Sequence, residues 1–529
     1  MNDWDEYLRY LDDGPLSVRL TTSNLAPRTT KPHPETTKID LNYKLWPFQQ
    51  KILAEMGNST LILGLPTGLG KTYLAGAKLH EESKTKPVRV LFIVPSVPLG
   101  VQQALFARER LGVDALFISG GIPPSQRKKL KVWNNAFVVA TPQTFYNDNL
   151  ANYRSDLQKA RSQADSVIYL SEIISEFPFD IVVADECQRY IGETDGYSTL
   201  LAAKACGVSL LALSATPQLH APRRLHELMK IFDDVKTFSV DDPGIREHMP
   251  DRLLVVDQVE TPTRLMKVYR ALEELIRVYR FRIGKMYGPR HSRNCKQHPL
   301  CRAQLAVRML RVRLVEDGAS SVQGYGTWRF RDLRNKRKSL GGDTIYHAYQ
   351  EALNECENHK LDAAVRILSG ERFNKAIVYV ESVEGAKQLA ARLQGRHGFE
   401  SVACLVGKGD MSMDQQASAL LHFRERARIL VCTSVGEEGL DIPTADIEVW
   451  VDPPSNPRKW IQRFGRILRQ PGDKKLAKTY ALISRDTHER DRLFRVKNTV
   501  EETYGFTQDI ETRRTKPLPT EQKTMTDFI

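Results

Sequence analysis

From residue 40 to about 245, short apolar runs at 60–63, 88–94, 115–118, 136–140, 181–184 and 210–213 are separated by polar segments long enough for helices. Runs that are apolar throughout, not only at every second position, fit strands buried on both faces. Their alternation with helices predicts a parallel, helix-covered α/β sheet. Past 250 the period changes. Leu265, Val268, Tyr269, Leu272, Leu275, Ile276, Tyr279 and Ile283 recur at helical spacing, with Arg264, Lys267, Arg270, Arg277 and Arg280 between them, so one face packs and the other is basic. Leu305, Met309 and Val312 suggest a second helix beside Arg302, Arg308, Arg311 and Arg313, and residues 346–368 a third. The α/β pattern then returns, with strand candidates at 376–380, 429–432, 447–451 and 479–483. The expected organisation is a flexible lead-in over 1–39, an α/β domain over 40–250, a helical insert over 251–369, a second α/β domain over 370–512 and a flexible tail over 513–529. No repeat of solenoid period is present.

At 529 residues the chain is too long for one core, and 41% hydrophobic with 27% charged residues describes an ordinary globular composition. The net charge of +13 is not spread evenly. Residues 264–338 hold 20 Lys/Arg against 5 Asp/Glu, which leaves the rest of the chain nearly neutral. A basic block of that size points to a polyanionic partner, because ordinary surfaces mix both signs. No apolar run approaches the ~18 residues of a membrane helix. The first ten residues carry acid where a secretory leader would carry base. Seven scattered cysteines form no disulfide framework. These features place the protein inside the cell, in cytoplasm or nucleoid, with no membrane association.

After the first strand candidate comes Gly64-Leu-Pro-Thr67-Gly68-Leu-Gly70-Lys71-Thr72 and then a helix-forming segment. A phosphate-binding loop needs glycines so that backbone N–H groups can approach the phosphates, a lysine for the β/γ oxygens, and a hydroxyl for magnesium. All of these are present, although Leu65 stands where the general pattern has glycine. Asp185 and Glu186 follow the run 181–184. A carboxylate at the C-terminal end of such a strand suits a second magnesium contact, with Thr72, and its neighbour can activate water. In the second α/β domain, Gln462-Arg463-Phe-Gly-Arg466-Ile-Leu-Arg469 spaces three arginines at i, i+3 and i+6, which predicts one arginine face on a helix. A phosphate loop in one domain and arginines in another suggest a composite site closed by ATP.

The ordered set Phe48-Gln49, 66–72, Val94-Pro95, Ala140-Thr-Pro-Gln143, Asp185-Glu-Cys-Gln188, Ser214-Ala-Thr216, Ile377-Val-Tyr379, Thr433-Ser-Val-Gly-Glu-Glu-Gly-Leu-Asp441 and 462–469 resembles superfamily 2 helicases over about residues 40 to 500. Within them, Leu-Pro-Thr-Gly-Leu-Gly-Lys-Thr and the 433–443 segment are similar to the archaeal Hef and FANCM branch, related to the RIG-I-like and Dicer helicases. The resemblance implies two RecA-like parallel-sheet domains with a helical insert between them, and ATP with Mg2+ as cofactors. It implies that Gln49 reads adenine, that Ser214 and Thr216 couple hydrolysis to movement, that Asp441 approaches the ribose, that Gln462 joins the nucleotide-binding residues, and that Arg466 and Arg469 are the arginine fingers. Pro95, Ser96, Thr141, Thr433 and Ser434 would touch the phosphates of one nucleic-acid strand, with 3′ to 5′ movement. Gln188 departs from the usual His, the 462–469 motif is nearer the XPB type, and nothing after about 510 matches the nuclease domain of Hef.

Three further features bear on partners. Tyr325 and Trp328 lie among the insert's arginines, where an aromatic ring can stack on a base or pack locally. His291, Cys295, His298 and Cys301 are ligand types within eleven residues, open between a zinc site and a basic loop with free thiols. The chain ends with Gln522, Met525, Phe528 and Ile529 at a spacing that resembles the peptide by which replication proteins dock on the sliding clamp PCNA. The expectation is an ATP-dependent helicase or translocase on forked or branched DNA. An RNA-directed duplex translocase and a non-catalytic clamp-tethered binder remain the alternatives.

Overall fold

In a computed structural model, the structure describes residues 33–288, 300–314, 358–436, 442, 444–468 and 476–515, apart from 58–59, 162–164, 217–221, 303, 306 and 408. Among the described residues, fourteen strands form two seven-stranded sheets, every neighbouring pair of them parallel.

The first sheet takes β1 Leu61–Gly64, β2 Val90–Ile93, β3 Ala115–Ile118, β4 Phe137–Ala140, β5 Ile181–Ala184, β6 Ser209–Ser214 and β7 Asp234–Thr237, in the order β3-β4-β2-β5-β6-β1-β7. Strands β1, β2, β4 and β5 are buried along their whole length, as continuous apolar runs require when helices cover both faces. The edge strand β7, Asp-Val-Lys-Thr, is half-buried and polar, which is why no apolar run announces it. Ile39 is buried, and Thr37 bridges Val88, so the first domain starts before residue 40, inside the stretch expected to be a flexible lead-in.

The second sheet takes β8 Asp251–Val259, β9 Ala376–Tyr379, β10 Val402–Leu405, β11 Ile429–Cys432, β12 Ile447–Trp450, β13 Leu476–Ser484 and β14 Asp509–Thr515, in the order β10-β11-β9-β12-β13-β8-β14. The chain therefore lays one strand into the second sheet before the insert begins. β8 pairs with β13 along nine residues, from Asp251 against Leu476 to Val259 against Ser484. The helix Leu361–Gly370 packs into the same domain through Leu361, Ala364 and Leu368. The insert's expected bounds of 251–369 thus move inward at both ends, because β13, more than two hundred residues away, claims 251–259 and the second domain's core claims the helix 361–370. The C-terminal strand β14 likewise runs into the expected tail, to Thr515.

Between these segments stands the 25-residue helix Thr263–Tyr287, about 37 Å long at 1.5 Å per residue. Its buried side chains are the eight read from the sequence, from Leu265 to Ile283. Residues 300–314 are helical where described. They pack Cys301, Val307, Leu310 and Leu314 against that helix, in place of the expected Leu305, Met309 and Val312. This stretch is apolar on two sides, and the long helix's stripe selects one; Met309 is left 37% exposed. Among the described residues no helix is long and apolar enough to cross a membrane.

Candidate active site

The phosphate-type loop leaves β1 at Gly64, where Leu65 N donates to the Ser214 carbonyl at 3.0 Å. Gly68 and Gly70 have φ of 93° and 84°, a left-handed conformation that side chains resist. Gly70 then starts the helix Lys71–Thr85. Lys71 Nζ lies 2.8 Å from the Leu65 carbonyl, folded back over the loop where phosphate oxygens would sit. Gln49 is placed beneath this loop. Its Nε2 donates to Leu69 O at 3.0 Å and its Oε1 accepts from Trp46 N at 2.9 Å. A Cβ on Gly70 would lie 2.4 Å from Gln49 Nε2. Both ends of the amide implied to read adenine are thus engaged in supporting the loop and capping the helix Pro47–Met56.

Asp185 follows β5 and is 6% exposed. Gln103, on the helix Val97–Leu111, donates from one Nε2 to Asp185 Oδ2 at 2.9 Å and contacts Thr72 Oγ1 at 3.4 Å. Two oxygens, one just after β5 and one in the first turn of the helix Lys71–Thr85, thus converge on a single donor. That all-oxygen pair fits a hard divalent cation that keeps waters and substrate oxygens as its remaining ligands. Among the described residues no cluster of three His, Cys, Asp or Glu side chains offers a complete protein cage. Burial, and next the charge of Glu186, push the Asp185 carboxyl above its usual range, while Lys71 pulls it back. A cation on these oxygens would act in Lys71's direction. Nothing in the local sequence singles out Gln103; only the packing of its helix against β3, β4 and the helix Lys71–Thr85 brings it there.

Glu186 has φ of 51°, a left-handed conformation for a residue with a side chain. Strain of this kind persists where the surroundings hold it and gathers at functional sites. Gln188 Nε2 donates to Glu186 Oε2. Ser214 Oγ donates to Gln188 Oε1 at 2.6 Å and accepts from Thr216 N at 3.0 Å. The residue that departs from the family's His is thus the link between the carboxylate after β5 and the Ser-Ala-Thr turn after β6.

The second domain faces this loop with the helix Pro457–Phe464. Of the expected face of three arginines, Arg463 and Arg466 do not share one helical face. Arg463 is 1% exposed, donates to the Asp452 carbonyl at 2.6 Å and lies over the Tyr379 ring at 4.7 Å, so it is part of the domain's core. The α-helix ends one residue later, and the turn beyond it carries Arg466. The reason is close approach: a Cβ on Gly465 would lie 2.4 Å from Thr67 Cβ and 2.7 Å from Thr67 O. The turn bearing Arg466 therefore rests directly on the phosphate-type loop. Gln462 is 2% exposed, and its Oε1 has no hydrogen-bond partner among the described residues. Asp441 and Arg469 lie outside the described residues.

The model of the DEAD/DEAH box helicase family matches residues 46–225, and that of the helicase conserved C-terminal domain matches 359–470. Together the two models cover more than half of the chain. It belongs to the DEAD/DEAH-type helicases. Its likeness to the Hef/FANCM branch is one of similarity. A protein of Methanocaldococcus jannaschii named as an ATP-dependent RNA helicase is 23% identical over 83% of this helicase and 58% of its own length. The ATP-dependent DNA helicase mph1 of Neurospora crassa is 25% identical over 78% of this chain and 39% of its own. The Drosophila melanogaster DEAD-box ATP-dependent DNA helicase Fancm is 24% identical over 81% and 32%. This chain thus spans only part of the length of these relatives. The crystal structure of the Pyrococcus furiosus Hef helicase domain superposes with a TM-score of 0.55 at 22% identity, covering 85% of this chain and 97% of that one; the two sheets are RecA-like domains.

In this helicase the remaining candidate residues also stand at C-terminal strand ends, where open parallel sheets bind ligands. Pro95 and Ser96 follow β2, Thr141 follows β4, and Thr433 and Ser434 follow β11. The order β4-β2-β5-β6-β1 places β5, with its acidic pair, between the phosphate-type loop's strands and these two strands of the first domain. Ser96 and Thr141 stand at the N-termini of the helices Val97–Leu111 and Pro142–Asn149, and neither side chain caps its own helix. Helix N-termini offer free N–H groups to phosphate oxygens. Ser434 is exposed and Thr433 is buried, so of that pair only the serine presents its side chain. Of the four possible zinc ligands only Cys301 is described, buried in the insert's core; the other three, with Tyr325, Trp328 and the four residues of the clamp-like peptide, lie outside the described residues.

Proposed function

We propose that this helicase hydrolyses ATP to translocate on, and unwind, forked or branched DNA in replication or repair. The observation that carries the reading is the seating of the Arg466 turn on the Thr67 loop, because it joins phosphate-binding and arginine elements from two domains into one cleft. Thr72 and Asp185 would hold Mg2+, which neutralises charge on the transferring phosphate when bound. Lys71 binds the phosphate oxygens. Glu186, oriented by Gln188, takes a proton from the attacking water, and Arg466 stabilises charge on the γ-phosphate. Ser214 and Thr216 connect that base to the loops flanking the nucleic-acid strand. The names of the mph1 and Fancm relatives support DNA as the track.

Lys71→Ala or Glu186→Gln should each lower DNA-stimulated turnover by about 10²-fold or more while leaving DNA binding in place. Unchanged turnover would refute the site. One relative is named as an RNA helicase, so the same ATPase measurement includes an RNA duplex, and stimulation by RNA over forked DNA would favour the RNA-directed reading. The peptide Gln522, Met525, Phe528 and Ile529 is proposed to dock on PCNA through an apolar plug. Removing residues 520–529 should then abolish capture by the clamp and spare the ATPase.

A further inference from the structure

Where the insert meets the second domain, the fold leaves a cavity of about 380 Å³. Three segments wall it. The helix Thr263–Tyr287 contributes Tyr269 and Arg280, residues 300–314 contribute Arg308 and Arg311, and the helix Glu489–Tyr504 of the second domain contributes Arg492 and Arg495. Five guanidinium groups thus converge on one space from both sides of an inter-domain joint.

The nearby acids offset only part of this charge, and two of them pair with cavity arginines. Glu489 lies 3.2 Å from Lys360 Nζ, 3.6 Å from Arg492, and accepts from Ser484 N at 2.6 Å. Asp491 lies 3.5 Å from His488 Nδ1. Glu273 pairs with Arg311 and lies 3.3 Å from His488 Nε2. Among the described residues Arg280, Arg308 and Arg495 make no ion pair. Arg311 keeps 17% of its side chain exposed. Burial first, partly offset by Tyr269, and then the facing Arg492 hold its guanidinium below the ordinary range. Like charges that face each other in a partly dry space repel, and an anion between them removes the repulsion. Planar guanidinium forks match phosphate oxygens in particular. At ~30 Å³ per water, the space suits one phosphate group with its waters and is far too small for a duplex.

We propose that this cavity binds a phosphate group, a backbone phosphate of the DNA's duplex arm, and that filling it fixes the insert against the second domain. The assignment to DNA rests on the functional reading above; the anion site itself does not. Arg308 is half-buried and Arg495 exposed, so both can be replaced without opening a core. The full chain carrying Lys71→Ala, which removes the loop's own affinity for phosphate, is melted with and without inorganic phosphate at constant ionic strength. Phosphate should raise its Tm, and adding Arg308→Gln with Arg495→Gln should abolish the rise. A charge-matched pair on the exposed side of the long helix, Lys267→Gln with Arg270→Gln, should keep it. Arg495→Gln alone, which should weaken the rise, serves if the double variant folds poorly.

In chains with Lys71 intact, the cavity pair should leave DNA-free ATPase unchanged. It should flatten the salt dependence of forked-DNA binding by ~0.9 in log–log slope for each phosphate that the arginines no longer neutralise. Loss of the Tm rise with an unchanged DNA slope would assign the site to free phosphate and overturn the backbone assignment. Equal Tm rises with and without the cavity arginines would overturn the site. A wild-type chain that DNA does not stimulate, with the phosphate effect intact, would refute the DNA reading and leave the cavity standing.

Discussion

Replacing Gly465 with alanine separates two effects that ordinarily move together. Gly465 has φ −58° and ψ −15°, a right-handed conformation in which alanine is at ease. The substitution should therefore stabilise the second domain by about 0.4–1 kcal/mol, through a less disordered unfolded chain. The same methyl group would stand 2.4 Å from Thr67 Cβ, 2.7 Å from Thr67 O and 3.0 Å from Thr67 C. Two of these are backbone atoms, which no rotamer change can move aside. Ordinary contact begins near 3.4 Å, so the Arg466 turn must withdraw from the phosphate-type loop by about 1 Å. A displacement of that size between catalytic groups costs on the order of 10²-fold in rate, or about 2.7 kcal/mol of barrier. Expected, then, are a Tm equal to or above wild type, ATP affinity changed little because the first domain's loop is intact, and kcat for DNA-stimulated hydrolysis lowered about a hundredfold. Thermal melts, equilibrium binding of a fluorescent ATP analogue and a coupled ATPase assay measure the three. A kcat within twofold of wild type would refute the argument that this contact closes the site.

The remaining predictions concern the buried polar cluster under the insert's return. Lys360 is fully buried, with Nζ 2.8 Å from Asp452 and 3.2 Å from Glu489. Lys360→Met would strand two buried carboxylates and cost about 3–5 kcal/mol, read by urea denaturation; a loss below ~1 kcal/mol would show that the pair relaxes into solvent or finds other donors. The neighbouring His359 is half-buried, and desolvation by its packed surroundings, reinforced by the Lys360 charge, pushes its pKa down to about 3. Because the folded value lies below the unfolded one, no penalty exists above about pH 6.5, and stability falls as pH drops from there toward 3. At pH 5 the loss from this one group is about 2 kcal/mol. His359→Gln should flatten the stability profile between pH 6.5 and 4, and an unaltered slope in denaturation midpoints would count against that desolvation effect.

Much of this molecule was written in short stretches of sequence. Strands buried on both faces must be apolar throughout, so β1 to β6, β9, β11, β12 and the core of β13 announced themselves, and the buried stripe of the long insert helix was legible residue by residue. The loop ending in Lys71-Thr72 and the Asp185-Glu186 pair were legible for the same reason, since the chemistry lies in adjacent residues at a strand end. What could not be read depends on partners distant along the chain. Strand β8 belongs to the second sheet because of β13, and the polar strands β7 and β14 exist because an edge accepted them. Arg463 looked like one of three equivalent arginines until Asp452 and Tyr379 claimed it. Gln103 joined Thr72 to Asp185, Gly465 met Thr67, and the insert's arginines met those of the second domain, only once helices had docked. By itself, then, the sequence determined which elements form and which chemical groups stand at their ends. The tertiary structure decided which groups face one another, because periodicity and backbone propensity act over a few residues, whereas close approach, burial and charge pairing are set by packing between segments that the sequence keeps far apart.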